Sequence, residues 1–255
     1  MKPGRLRIAT WNLDRVRPGT GVRTERIRAA IEKVDSDVWV LTETHERFSP
    51  GEQFIEKAFS FAPPYRQNDE RWVSIWVRRD LDTEALTVDG EPERSAAARI
   101  KLGEGRHLVV FGTVLPWRGD TATELRGAAK FVTSLTKQAR DWERLRYVHV
   151  GDHLCVAGDF NQEFQSNGPV GTKLGRDALD AELRPGQHGQ LECVTGGERD
   201  PLLKLGRGKS IDHILLDVEL AYTAQVCKVW PDEYPLLKRM SDHYGVCVEL
   251  QTGVA

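Results

Sequence analysis

The stretch VAGDFNQ, residues 156–162, follows the apolar pair Leu154–Cys155. It closes an apolar run with an acid, Asp159, and an amide, Asn161, two residues apart. Successive strand side chains point to opposite faces, so residues i and i+2 share a face. A strand that continues through this stretch sets Asp159 and Asn161 looking one way and Phe160 looking into the core. That arrangement suits a site at a strand's end. The same residues also suit a turn, because Gly, Asp and Asn are ordinary turn residues.

Working outward, apolar patterning predicts strands over 5–13, 37–44, 71–80, 107–115, 153–159, 210–217 and 244–250. The run DVWVLTET (37–44) is continuously apolar at its start, as in a strand buried on both faces. Ile27, Ile31 and Val34 are spaced for an amphipathic helix over 23–34, and Leu125, Ala128, Phe131 and Leu135 for another over 123–142. The segments 60–70, 89–95, 116–122, 165–175 and 184–208 read as surface connections. Strands and helices alternate in the first 160 residues or so, and strand and loop dominate afterwards. No repeat or low-complexity linker divides the 255 residues, so the expectation is one mixed α/β domain over 1–255.

Composition excludes some classes. Hydrophobic residues are 40% and charged residues 29%, with a formal net charge of −2, which is ordinary for a globular chain and unlike a basic, sequence-independent DNA coater. Cys155, Cys193, Cys227 and Cys247 form no zinc spacing, and Cys155 and Cys247 sit in apolar strand patterns. No stretch approaches the roughly 20 apolar residues of a membrane span. The N-terminal MKPGRLRIATWNL has no apolar signal-peptide core. These features lead to the expectation of a reduced, cytoplasmic setting.

Several predicted strand ends carry polar residues: Asn12 after Trp11, Glu43 in LTET, Asp159 and Asn161 in GDFN, Asp212 and His213 in SIDHILL, and Ser241-Asp242-His243 before the last strand. Each has a structural reading as well. Asn12 could cap a turn, Glu43 could be a solvated strand end, Asp212 could initiate a strand, and Asp242–His243 could be a hydrogen-bonded pair. Five such ends in one chain are hard to treat as unconnected.

In this order, WN, the LTET glutamate, GDFN, SIDH and SDH resemble the motif set of the endonuclease/exonuclease/phosphatase superfamily, the DNase I-like fold, from residue 8 to about residue 250. The resemblance implies a four-layer α/β sandwich: two mixed β-sheets packed face to face with flanking helices. It implies a hydrolase of phosphate esters that uses Mg²⁺ or Mn²⁺, a hard cation that takes a few carboxylate and amide oxygens plus waters. On this likeness Glu43 is the first metal ligand, with Asn12 beside it and Asp242 as a further one. His243 pairs with Asp212, whose carboxylate fixes the imidazole's tautomer and raises its basicity. Asp159 orients or deprotonates the attacking water, and Asn161 donates to a phosphate oxygen. Whether His243 or Asp159 is the general base stays open. His213 is expected on the opposite strand face, in a structural role.

One position departs from the pattern. Many members carry a His or Tyr near the end of the central strand, where FGTVLPWRGD has Val114. Trp117 and Arg118 are candidates to stand in; the alternative is an exposed aromatic with a solvated Arg. Lys209, Lys238 and Arg239, in KLGRGKS and LLKRMSDH, are candidates to hold flanking phosphates, or are simply solvated loop charges. The leading expectation is a metal-dependent phosphoesterase acting on a phosphodiester, with DNA or RNA as the favoured substrate. The alternatives are a small-molecule or phospholipid phosphatase or phosphodiesterase of the same family, and a non-catalytic binding descendant of the fold. A TIM barrel would need eight regular βα units, which the strand-rich second half does not supply.

Overall fold

The computed structural model describes residues 4–19, 21–62, 69–103, 105–120, 127–164, 170–184, 190–232, 236 and 239–252. The elements run β1 (Arg5–Asn12), α1 (Val22–Val34), β2 (Val38–His45), β3 (Phe54–Phe59), β4 (Glu70–Arg78), β5 (Thr83–Leu86), β6 (Ser95–Gly103), β7 (Arg106–Val114), α2 (Gly127–Val148), β8 (His153–Asp159), α3 (Lys173–Leu183), β9 (Leu191–Cys193), a 3₁₀ turn (Gly197–Arg199), α4 (Pro201–Lys204), β10 (Asp212–Asp217), α5 (Val218–Ala221), β11 (Gln225–Trp230) and β12 (Gly245–Gln251). They form two six-stranded mixed sheets, in the orders β11-β12-β1-β2-β4-β3 and β5-β6-β7-β8-β10-β9.

The expected sandwich is present. Leu6, Ile8, Val38 and Val40 of the first sheet meet Leu108, Val110, Cys155 and Ala157 of the second in one buried cluster between the sheets. The alternate residues Trp39 and Leu41 turn outward under Ile27, Ile31 and Val34 of α1. Phe111, Leu154 and Val156 likewise turn outward, under Phe131, Leu135 and Trp142 of α2 and Leu179 of α3. This explains why β2 reads as a continuous apolar run: both of its faces are covered, and each large side chain so buried contributes about 1.5–3 kcal/mol.

Each sheet has one parallel pair at its centre, β1 with β2 and β7 with β8, and antiparallel partners outside it. A parallel pair brings both C-terminal ends to one edge. Its antiparallel neighbours bring their N-terminal ends to that edge. The register sets Val114 beside Asp159, and Asp159 beside Asp212. Asn12 pairs with Thr42, next to Glu43, and β12 begins at Gly245, just after His243 and Tyr244. One rim therefore collects the strand ends that the motifs mark.

Boundaries differ from expectation where local pattern is weak. The helix predicted over 123–142 extends to Val148, and 123–126, with Leu125, lie outside the described residues. The segment 184–208, read as connection, holds β9, the 3₁₀ turn and α4, and α3 starts inside 165–175. The strands β3, β5, β6 and β11 were not anticipated. Most of SAAARI in β6 is small residues, and much of β11 is exposed at a sheet edge, so neither shows the alternation that marks a half-buried strand.

Candidate active site

Asp159 and Asp212 face each other at the ends of β8 and β10, both buried. On its other side β8 lies close against β7 at Gly158: its φ is +142°, and a Cβ there would stand 2.0 Å from the Thr113 carbonyl oxygen. Past Asp159 the strand stops. The Asn161 N–H donates to Asp159 Oδ1 at 2.8 Å, its side-chain amide donates to Asp159 Oδ2 at 3.1 Å and to the Leu115 carbonyl at 2.9 Å, and its φ is +48°. GDFN is thus a strand end and a turn at once. Phe160 points into the core, as the alternation predicted.

The first sheet completes the cluster. Asn12 Nδ2 donates to Asp159 Oδ2 at 3.0 Å and to Glu43 Oε1 at 3.3 Å, while its Oδ1 accepts from the Asp14 N–H at 2.8 Å. Glu43 interrupts β2 with φ +50°, and Arg15 Nε lies 3.4 Å from its Oε2. Asp14, Arg15, Glu43 and Asn161 are all non-glycine residues at positive φ on this rim. Such conformations cost of order 1–3 kcal/mol each and persist where surrounding contacts over-determine them.

The 241–243 segment is bracketed onto β1. Ser241 Oγ donates to the Asn12 carbonyl at 2.6 Å and accepts from the His243 N–H at 3.0 Å; Trp11 Nε1 donates to the His243 carbonyl at 2.9 Å. His243 Nδ1 then lies 2.6 Å from Asp212 Oδ2. Burial alone would lower the imidazole's pKa, but the Asp212 charge and hydrogen bond, with Asp159 and Asp242, outweigh it and push the value up to about 10. Burial, and then the Asp212 charge, push Asp159 up to about 7, against the pull of His243.

Asp159, Asp212 and His243 each offer a ligand atom within 4.8 Å of the others. The buried Oδ1 of Asp212 has no hydrogen-bond partner among the described residues, and Glu43 adds a third carboxylate next door. This set of hard oxygens with excess negative charge fits a divalent cation such as Mg²⁺ or Mn²⁺.

A cavity of about 240 Å³ opens over the cluster, lined by Glu43, Asp159, Asn161, Asp242 and His243 together with Val114 and Trp117. Val114, the position read as departing from the family pattern, lines this cavity and pairs with Asp159. Asp242 is exposed, with Oδ1 3.7 Å from His243 Nε2. Arg118 is exposed and is not among the lining residues, Lys209 pairs with Glu163 at 3.2 Å, and Arg239 is exposed. Lys238 lies outside the described residues.

The chain matches the model of the Endonuclease/Exonuclease/phosphatase family over residues 9–243. It belongs to that family. Its members hydrolyse phosphoester bonds. Among solved structures, the endonuclease domain of TRAS1, a telomere-specific non-LTR retrotransposon, is 13% identical, with a TM-score of 0.66 over 98% of this chain and 100% of that one. AP endonuclease LMAP from Leishmania major is 15% identical, with 0.68 over 97% and 88%. The human Nocturnin catalytic domain with bound sulfate anion is 14% identical, with 0.64 over 96% and 94%. At these identities the likeness shows the fold. No curated protein matches by sequence.

Sequence reasoning missed one prominent cavity residue. Arg94 is buried, stacks 4.6 Å over the Trp72 ring and pairs with Asp120, which also binds Lys130 at 2.7 Å. It precedes the Ala-rich β6 and carries no motif; only the folded chain brings it beside Val114, whose N–H donates to the Arg94 carbonyl at 2.9 Å.

Proposed function

We propose that this chain is a divalent-metal-dependent hydrolase of phosphodiesters, with nucleic acid as the favoured substrate. The observation that carries the reading is the Asp159–Asp212–His243 cluster, with Glu43 and Asn12 joined to it, in a chain of this family; Glu43, Asp159 and His243 open into one cavity. Similar structures named as endonucleases favour nucleic acid over small molecules or phospholipids.

Glu43 would hold the cation, with Asn12 beside it, Asp242 on the facing rim, and the Asp159 and Asp212 carboxylates within reach of its charge. A cation held there would supply charge neutralisation of the phosphate and the departing alkoxide. Asp212 raises the pKa of His243, so its imidazolium is favoured as a cation toward the phosphate and a proton source. Asp159, near 7, is the group able to take a proton from water. Asn161 holds Asp159 in place through both its backbone and side-chain amides and faces the same cavity.

The test is hydrolysis of bis(4-nitrophenyl) phosphate with Mg²⁺ or Mn²⁺, by the wild-type chain and by His243→Gln. Turnover that needs metal and vanishes in a folded variant is the expected result. A variant that turns over like the wild type would remove His243 from the reaction.

A further inference from the structure

The concavity continues past the candidate active site. His243 and Asp242 also line a second cavity of about 260 Å³, on the side of Lys209, Arg207 and Tyr244. Pro201, Arg207 and Val229 line both that cavity and a third, of about 630 Å³, between α4 and the edge strand β11. Shared walls place the three in series, as a trough from His243 to the side of the sandwich.

The outer end of the trough is basic in a chain whose net charge is −2, whereas Asp212 and Asp242 line its inner end. Among the described residues lining the outer cavity, Asp232 is the one acid, against Arg199, Lys204, Arg207 and Lys228. Two of these cations are committed elsewhere: Arg199 to Glu192 at 3.1 Å, and Lys228 Nζ to the Val34 carbonyl at 3.0 Å. Arg207 is held by backbone carbonyls. It donates to the carbonyl oxygens of Pro231 at 3.2 Å and of Asp232, lies 5.9 Å from the Tyr244 ring, and forms no salt bridge with a described carboxylate. Its loop is preformed, because the buried Asp200 caps α4 through the Leu202 N–H at 2.9 Å and binds Ser210 through both N–H and Oγ. Lys204 is exposed nearby, and Leu205 and Val226 leave apolar surface uncovered in the outer cavity.

We propose that a nucleic-acid strand leaves the candidate active site through this trough, with Arg207 and Lys204 holding the phosphates that follow the one at His243. The inference rests on the phosphodiesterase reading above. Charge on a preformed loop positions a polyanion, while Tyr244, Leu205 and Val226 offer apolar surface to base faces. An anionic bilayer is the poorer fit, because the apolar groups line a concavity rather than a projecting surface.

The test is fluorescence anisotropy of a labelled single-stranded oligonucleotide, in EDTA, over a range of salt. Binding then does not depend on turnover, and the small-diester assay judges the catalytic reading separately. Lys204→Glu and Arg207→Gln should each weaken binding about tenfold and lower the salt slope by about one. Arg207→Lys should keep part of the affinity. Thermal melts establish that the variants are folded; Lys204, being exposed, carries the test if Arg207→Gln melts early. Folded variants that bind with unchanged affinity and slope would overturn the proposal. So would a wild-type chain that binds anionic phosphatidylglycerol vesicles and no oligonucleotide.

Discussion

Asp212 and its chain neighbour bring two histidines into comparison, the half-buried His243 on one side of the second sheet and the buried His213 on the other. His243 reaches Asp212 from the cavity side, at 2.6 Å. His213 points to the outer face, where its Nε2 donates to the Gln162 carbonyl at 3.1 Å and its Nδ1 lies 3.4 Å from Thr195 Oγ1. It packs edge-on against Phe164 and Phe160, at 4.6 and 5.8 Å. Burial lowers the pKa of His213 and nothing reverses it; for His243 the same penalty is overridden by carboxylates. Burial alone therefore does not tell a histidine that holds a proton from one that loses it. The partner on the ring nitrogen does.

The sharpest way to break this contrast is to remove the partner. Asp212→Asn should lower metal-dependent turnover by about 10²–10⁴-fold, as should His243→Gln, since both end the charge-assisted pair. Activity within a few-fold of wild type would mean that the pair is structural after all. His213→Ala should do the opposite. It should cost about 2–4 kcal/mol of stability in urea unfolding, from a cavity and the stranded Gln162 carbonyl, while kcat per folded molecule stays near wild type.

Acidity should separate the two next. Each unfolded histidine titrates near 6.5. The folded value of His243 lies above that, near 10, so its stabilisation is complete below pH 6.5 and is lost as pH rises toward 10. The folded value of His213 lies below it, so its contribution is present above pH 6.5 and is lost as pH falls. Urea midpoints in EDTA should show His213→Phe gaining on wild type under acid, and the wild-type advantage over His243→Gln shrinking under alkali. Parallel profiles for all three proteins would contradict the assignment.

A smaller effect concerns the bracket that carries His243. Ser241→Ala removes the bond to the Asn12 carbonyl and the acceptor for the His243 N–H, and should cost about 1 kcal/mol with a several-fold loss of turnover. The smallest is expected at Trp117, which is 55% exposed at the cavity mouth. Trp117→Ala should raise KM a few-fold and leave kcat alone, because an exposed ring contributes little desolvated contact. A large fall in kcat would assign it a part in the reaction itself.

The sequence alone determined the strands with two covered faces, the helix on β2, and the polar residues closing successive strands. Alternation, helical spacing and turn chemistry are local, so DVWVLTET, GDFN and SDH could be read without knowing what they touch. Tertiary structure decided the rest. The positive φ of Glu43, the ionisation of Asp159 and His243, the placing of Arg94 beside Val114 and the trough beyond Arg207 all depend on which groups are buried against which. That is a property of two packed sheets, and no single stretch of chain encodes it.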